Sequence, residues 1–355
     1  MLKSPPLHIL FCLPYHIAPL ISSAGRVLFP GRICLAKKIP PQYNKYYIEV
    51  KESIMTAVIA IVALLILALL FFASSYFFRY TFLRADKPDP WNDGLGEFVL
   101  KDRAFFERPD RELLEITARD GLRLKAWFYD QGGDVTVILC HGYRGGPVEL
   151  SGIASHLYAE GMNILLIFQR AHGLSEGSYF TMGVKEKLDV ADWAKEIAAR
   201  KPDGKIVLFG WSMGGNTVMG AVGEALPENV RCAVADCGYD DLRTQLLFSC
   251  QENMPRLPAK RFFIRLLGLY CRLFKGFSLN DPRSASLGRC KIPMLFIHGT
   301  ADAVVPYDNL GRCYQACAAK KQRTTYQTVP HIRSCGSDPR RYFGELDAFI
   351  RENTK

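Results

Sequence analysis

No C-x-x-C pair occurs in the 355 residues, although the chain holds eleven cysteines. Cys313 and Cys317 form a C-x3-C with no second pair, so the ligand spacing of a structural zinc site is missing. Several cysteines sit inside apolar runs, as in C-A-V-A-D, and read as small core side chains. Such an odd, scattered set is no disulfide framework and points to a reducing compartment on the cytoplasmic side. Net charge is also scarce where a nucleic-acid-binding face would need it. Residues 1–84 carry nine Lys/Arg against Glu49 and Glu52, which is +7 of the chain's +10. The remaining 271 residues hold only +3, so no basic face for nucleic acid is expected.

Charge is missing altogether from Ser53 to Phe78, a stretch long enough to cross a bilayer. Tyr76, Phe77, Phe78 and Tyr80 stand where an interfacial aromatic belt belongs, followed by Arg79 and Arg84. The run is too long, and A-S-S at 73–75 too poor a cleavage site, for a signal peptide, so a transmembrane anchor is expected over 55–78. Residues 1–54 show no sustained period and many prolines. Met55 begins a normal anchored-protein start, and Lys51-Glu52 can be encoded as a ribosome-binding sequence just before it. The expectation is therefore that translation starts at Met55 and that 1–54 is upstream reading frame. In that case the flanking charges lie only after the segment, which favours a cytoplasmic location for the soluble domain.

A linker from Ala85 to Gly96 leads into a regular pattern. Strand-like runs Glu112–Ala118 and Leu122–Tyr129 flank the turn R-D-G, a hairpin signal. Apolar runs then occur at Val135–Cys140, Asn163–Phe168, Lys205–Gly210, Val230–Ala235 and Pro293–His298, with Thr324–Val329 last. Amphipathic segments such as Val184–Arg200 lie between them. Continuous apolar strands spaced by helices predict a mostly parallel sheet covered on both faces, an α/β domain over 97–355. The block 240–288 breaks the rhythm with helix-like pieces and no strand, and reads as an inserted lid.

The segment K-I-V-L-F-G-W-S-M-G-G-N-T-V-M-G runs from a strand into Gly210-Trp211-Ser212-Met213-Gly214 and a small-residue helix. Ser212 thus belongs on a sharp strand-to-helix turn as a nucleophile, with glycines where side chains would clash. A serine hydroxyl needs a base, and the chain has only seven histidines. His8 and His16 fall in the tail, and His156 lies within an amphipathic helix. His172 sits in a loop, while His141 and His298 end strands. His331 follows the last strand, the base's place in the chain order nucleophile, acid, base. The acid should end a strand between Ser212 and His331, which leaves Asp302 and Asp236. Asp302 is preferred, because its turn presents a carboxylate at the sheet's carboxyl edge beside the nucleophile; Asp236 is then structural. For the oxyanion, the Met213 N–H follows the nucleophile and the Tyr143 N–H comes from the loop after the first parallel strand. His141 is read as holding that loop by hydrogen bonds.

Residues 97–355 resemble the α/β-hydrolase superfamily, with H-G-Y-R-G-G, Q-R-A-H-G-x-S-x-G, G-W-S-M-G-G and H-G-T-A-D-A-V-V-P in order. More narrowly they are similar to bacterial membrane-anchored serine hydrolases with one N-terminal transmembrane helix. There the histidine segment reads H-x-x-S, then D-P and a Tyr, matched by His331, Ser334, Asp338, Pro339 and Tyr342. Pro330 departs from the small residue common before the histidine. The same superfamily includes membrane-bound protein depalmitoylases.

These readings imply a serine hydrolase that cleaves a carboxylic ester or thioester through an acyl-enzyme, with no metal or cofactor. An acyltransferase or serine peptidase would use the same triad, and a non-catalytic membrane-anchored binding module would keep the fold without it. A carbon–halogen hydrolase would want Asp at 212 and a dienelactone hydrolase Cys. In the lid, residues 256–275 carry six basic side chains and no acid. Phe263, Leu266, Leu267, Tyr270 and Phe274 recur there at helical spacing. Such a helix fits anionic lipid headgroups, or simply covers the pocket.

Overall fold

The computed structural model describes residues 20–21, 27–29, 32–33, 41–84 and 100–355. The tail histidines His8 and His16 and the linker over 85–96 lie outside the described residues. The chain divides into two units, residues 1–69 and 70–355. In the first, three short strands (Leu20–Ile21, Val27–Phe29 and Arg32–Ile33) pair antiparallel. Helix α1, Pro41–Phe82, begins in this unit and ends in the second. It overruns the expected anchor at both ends, and its Ile48–Phe82 portion, which contains an 18-residue window of mean hydropathy 3.1, is long and apolar enough to cross a membrane. Its large side chains from Ile54 to Leu69 are exposed, which a core helix of a globular domain would not tolerate.

The second unit is built on an eight-stranded sheet. Its strands are β1 Glu112–Thr117, β2 Arg123–Tyr129, β3 Val135–Cys140, β4 Asn163–Ile167, β5 Lys205–Trp211, β6 Val230–Asp236, β7 Met294–Gly299 and β8 Lys321–Tyr326. Their spatial order is β1-β2-β4-β3-β5-β6-β7-β8. The first two form the expected hairpin, and β2 also runs antiparallel to β4; every other pair is parallel. The five strands β3 to β7 are buried almost throughout, as strands covered on both faces must be. Alternation along β3 divides the core. Ile138 and Cys140 pack with helices α3 (Glu186–Arg200), α4 (Met213–Ala221) and α8 (Asp308–Ala316). Val137 and Leu139 pack with α2 (Ser151–Ala159) and α9 (Pro339–Asn353).

The last strand starts three residues earlier than its apolar content predicts. Its first half, Lys-Gln-Arg, is polar because β8 is an edge strand, half-exposed and, among the described residues, paired on one side only. Between β6 and β7 there are helices and no strand: α5 (Leu242–Asn253), α6 (Lys260–Tyr270) and α7 (Arg283–Leu287). A π-type turn, Cys271–Lys275, extends α6 and shifts its phase. The buried face of α6 runs through Ile264, Leu267 and Tyr270 to Cys271, and within the π turn Phe274 of the expected stripe is exposed.

Candidate active site

Ser212 sits between β5 and α4 with φ 53°, a left-handed conformation rare for a residue with a side chain. Neighbours that could accommodate no side chain force this turn. A Cβ on Gly210 would lie 2.3 Å from the Gly214 carbonyl oxygen, and one on Gly214 would lie 2.0 Å from that of Cys140. Helix α4 thereby packs directly against the ends of β3 and β5. The Ser212 N–H donates to the Asp236 carbonyl at 2.8 Å, which pins the turn to the end of β6.

Two loops bring the other residues to Ser212. After β7 the Ala301 N–H donates to the Val329 carbonyl (3.1 Å), and the Thr328 N–H donates to the Thr300 hydroxyl (2.8 Å). The loops after β7 and β8 are thus stitched together, and this sets the separation of Asp302 and His331. His331 Nε2 lies 2.8 Å from Ser212 Oγ, and its Nδ1 lies 2.6 Å from Asp302 Oδ2. A carboxylate can only accept, so Nδ1 carries the hydrogen and Nε2 is left as acceptor for the serine O–H. Pro330 does not prevent this; its carbonyl closes a turn with the Arg333 N–H (3.3 Å).

Asp302 is buried and surrounded by donors. Oδ1 accepts from the Val304 and Val305 N–H groups at 2.9 and 2.8 Å. Oδ2 also lies 3.1 Å from His298 Nε2, which is 3.1 Å from the Val305 carbonyl as well. Both partners are acceptors, so His298 donates from Nε2. Burial alone would raise the Asp302 pKa. The hydrogen bonds from His298, His331 and the Val305 N–H outweigh it and hold the carboxyl well below the usual carboxylate range. Asp236 behaves in the opposite way. It is fully buried, and desolvation pushes it up to about 6 despite a 2.8 Å hydrogen bond from the Tyr342 hydroxyl. Its side chain bonds Tyr342, not His331, as a structural residue would.

Met213 is the first residue of α4, so its N–H belongs to the turn that has no intrahelical acceptor. The loop after β3 runs alongside: a Cβ on Gly142 would lie 3.7 Å from Ser212 Cβ. His141 ties that loop down, its Nδ1 2.9 Å from the Gly142 carbonyl and its Nε2 accepting from the Gln169 N–H at 3.2 Å. Tyr143, Ser212 and Met213 open on one cavity of about 320 Å³, within the range of small-molecule sites. Its remaining lining is mostly apolar, from α5, α6 and the end of α1.

Three contributors escape the sequence reading. His298 reads there only as the end of a strand; the H-G-T-A-D spacing, four residues from His to Asp across a turn, is the signal that could have found it. Cys237, a core thiol by its apolar context, lies with Asp302 and His331 so that one ligand atom of each is within 4.8 Å of the others. The end of α1 is the third. Of the aromatics assigned to an interfacial belt, Phe78 is buried in the second unit, while Tyr76 and Tyr80 are exposed.

The family described as alpha/beta hydrolase fold matches residues 135–281. YfhR of Salmonella typhimurium, an uncharacterised protein, is 27% identical over 235 residues, which is 63% of this chain and 75% of that protein. Protein bem46 of Schizosaccharomyces pombe is 25% identical over 275 residues, 75% of this chain and 84% of that one. Among solved structures, the Pyrococcus furiosus esterase Pf2001 is similar with a TM-score of 0.58 at 25% identity, covering 69% of this chain and 92% of that one. The strand order and these matches show the α/β-hydrolase fold, and that fold with its esterase neighbours supports hydrolase activity.

Proposed function

We propose that the chain is a membrane-anchored serine hydrolase that cleaves a carboxylic ester or thioester through an acyl-enzyme. The observation that carries this reading is the continuous chain of hydrogen bonds from Ser212 through His331 to Asp302, at 2.8 and 2.6 Å. Ser212 Oγ attacks the acyl carbonyl carbon as its proton passes to His331 Nε2. The imidazolium so formed is stabilised through Nδ1–H by the Asp302 carboxylate, which its donors keep ionised. The oxyanion takes the Met213 and Tyr143 N–H groups. As the tetrahedral intermediate collapses, Nε2 returns the proton to the departing alcohol or thiol. Water, deprotonated by the same nitrogen, then attacks the acyl-enzyme and restores Ser212.

Leu246, Leu267, Met254 and Phe263 line the cavity, which favours an acyl chain over a peptide. Helix α1 supplies the anchor. Of the nine thiols after residue 84, eight are buried, and Cys250 is partly exposed, which suits a cytoplasmic location. The test is fluorophosphonate labelling and p-nitrophenyl ester hydrolysis by the full chain in detergent. Ser212→Ala should abolish labelling and lower kcat by roughly 10⁴-fold or more. Labelling that persists in that variant refutes the nucleophile.

A further inference from the structure

The last three turns of α1 are part of the hydrolase unit. Ser74, Phe78 and Phe82 recur every four residues and are buried, Phe82 completely. They pack with the lid and with the loop after β4: Phe78 meets Tyr179 at 5.4 Å and Tyr270 at 5.6 Å, and Phe82 meets Phe277 at 5.4 Å. Backbone bonds continue the attachment. The Phe180 N–H donates to the Phe82 carbonyl, and the Arg84 N–H to that of Ser178, both at 3.0 Å. One position round the helix, Phe77 and Thr81 form a second stripe, which with Tyr80 lines the cavity that Ser212 opens on. Phe77 also meets Phe263 of the lid at 5.8 Å. The Tyr143 hydroxyl donates to the Thr81 carbonyl at 3.0 Å, so the oxyanion loop is tied to the same turn.

We propose that this segment of α1 is the specificity wall of the site, and that Phe77 sets its preference for long-chain acyl esters or thioesters. The proposal rests on the serine-hydrolase reading above. Gln245, Ser249 and Asn253 of α5 add polar groups to the cavity, but Phe77, Met182, Leu246, Leu257, Ile264 and Leu267 make most of its lining apolar, which suits a hydrocarbon chain. Apolar walls of this kind discriminate by filled length, at about ten-fold or more per group that fits or fails to fit.

The experiment measures kcat/KM of the full chain in detergent for p-nitrophenyl acetate, butyrate, octanoate, laurate and palmitate. The wild type should favour the longer chains. Phe77→Trp should lower the palmitate-to-acetate ratio by roughly ten-fold, and Phe77→Ala should shift the optimum the other way. Tyr76→Ala, exposed and outside the cavity, should leave the ratio unchanged. Fluorophosphonate labelling of each variant reports an intact Ser212 independently of chain length. A ratio that neither Phe77 variant moves, in protein that still labels, overturns the wall. Absence of labelling and of hydrolysis at every length sinks the serine-hydrolase reading instead.

Discussion

The edge of the sheet that carries Ser212, Asp302 and His331 and the cover above it are built by largely different means. At the edge, position is fixed by backbone: close glycine contacts at 210 and 214, the Ser212 N–H on the Asp236 carbonyl, and the stitched loops after β7 and β8. In the cover, aromatic side chains meeting at ring distances of 5.3 to 5.8 Å join α6 to the end of α1, and only the last turn of α1 is also held by backbone bonds to the loop after β4. A backbone-fixed constellation tolerates no change of shape, whereas a side-chain-packed cover can alter its contents without losing its place. Ser212, His331 and Asp302 are therefore the rigidly held part of this design and the pocket the adjustable part.

The sharpest way to break the comparison is at Asp302. In Asp302→Asn, the remaining oxygen stays with the Val304 and Val305 N–H groups and the new NH₂ faces His331. His331 must then accept at Nδ1 and carry its hydrogen on Nε2, which cannot take the serine proton. We expect kcat to fall about 10⁴-fold with the fold retained. Asp236→Asn should cost ten-fold or less by the same assay, about 1.4 kcal/mol in barrier. If Asp236→Asn is the crippling change, the acid stands on the other strand.

A smaller effect separates the two carboxylates by pH. The folded pKa of Asp236 is raised to about 6, above an unfolded value near 4. Between these values the native state holds the extra proton, so this group's contribution to stability is complete below about 4 and lost as pH rises through about 6. Wild type should therefore lose about 2–3 kcal/mol across that window relative to Asp236→Asn, read from denaturant midpoints at each pH.

The smallest effect concerns the cover's outer surface. Helix α6 turns Ile264, Leu267 and Tyr270 inward and leaves Phe262, Leu269 and, beyond it, Leu273 exposed among basic residues. The cavity-facing side and the basic outer side are thus separate faces of one element. Replacing Lys260, Arg261 or Arg265 singly by Gln should weaken binding to anionic vesicles by about 1 kcal/mol each, with added salt removing the difference. Binding that ignores both charge and salt would leave the helix a pocket cover alone.

Most of the edge could be read from the chain because backbone constraint leaves short local signatures. Gly210-Trp211-Ser212-Met213-Gly214 reports a turn that excludes side chains, and each strand before a loop residue is a continuous apolar run. The turn after the strand favours Asp302 over Asp236 from sequence, and it is Asp302 whose Oδ2 lies 2.6 Å from His331 Nδ1. His298 escaped because its contact with Asp302 arises from a turn's shape and not from composition. The cover escaped for a deeper reason. Phe77 and Phe263 meet across nearly two hundred positions of sequence, and an aromatic at the end of an apolar helix carries the same local signal whether it faces a headgroup or a pocket.

The attachment of α1 has a consequence for splicing another helix onto it. An α-helix turns about 100° per residue, so phase matters as much as length. One residue inserted between Leu70 and Ser74 would leave Phe78 and Phe82 on the hydrolase only by rotating everything before the insertion through that angle. A helix spliced here must therefore keep the register from Phe71 through Phe82, so that Phe71, which meets Tyr270 at 5.6 Å and Phe274 at 5.3 Å, stays in phase with Phe78 and Phe82.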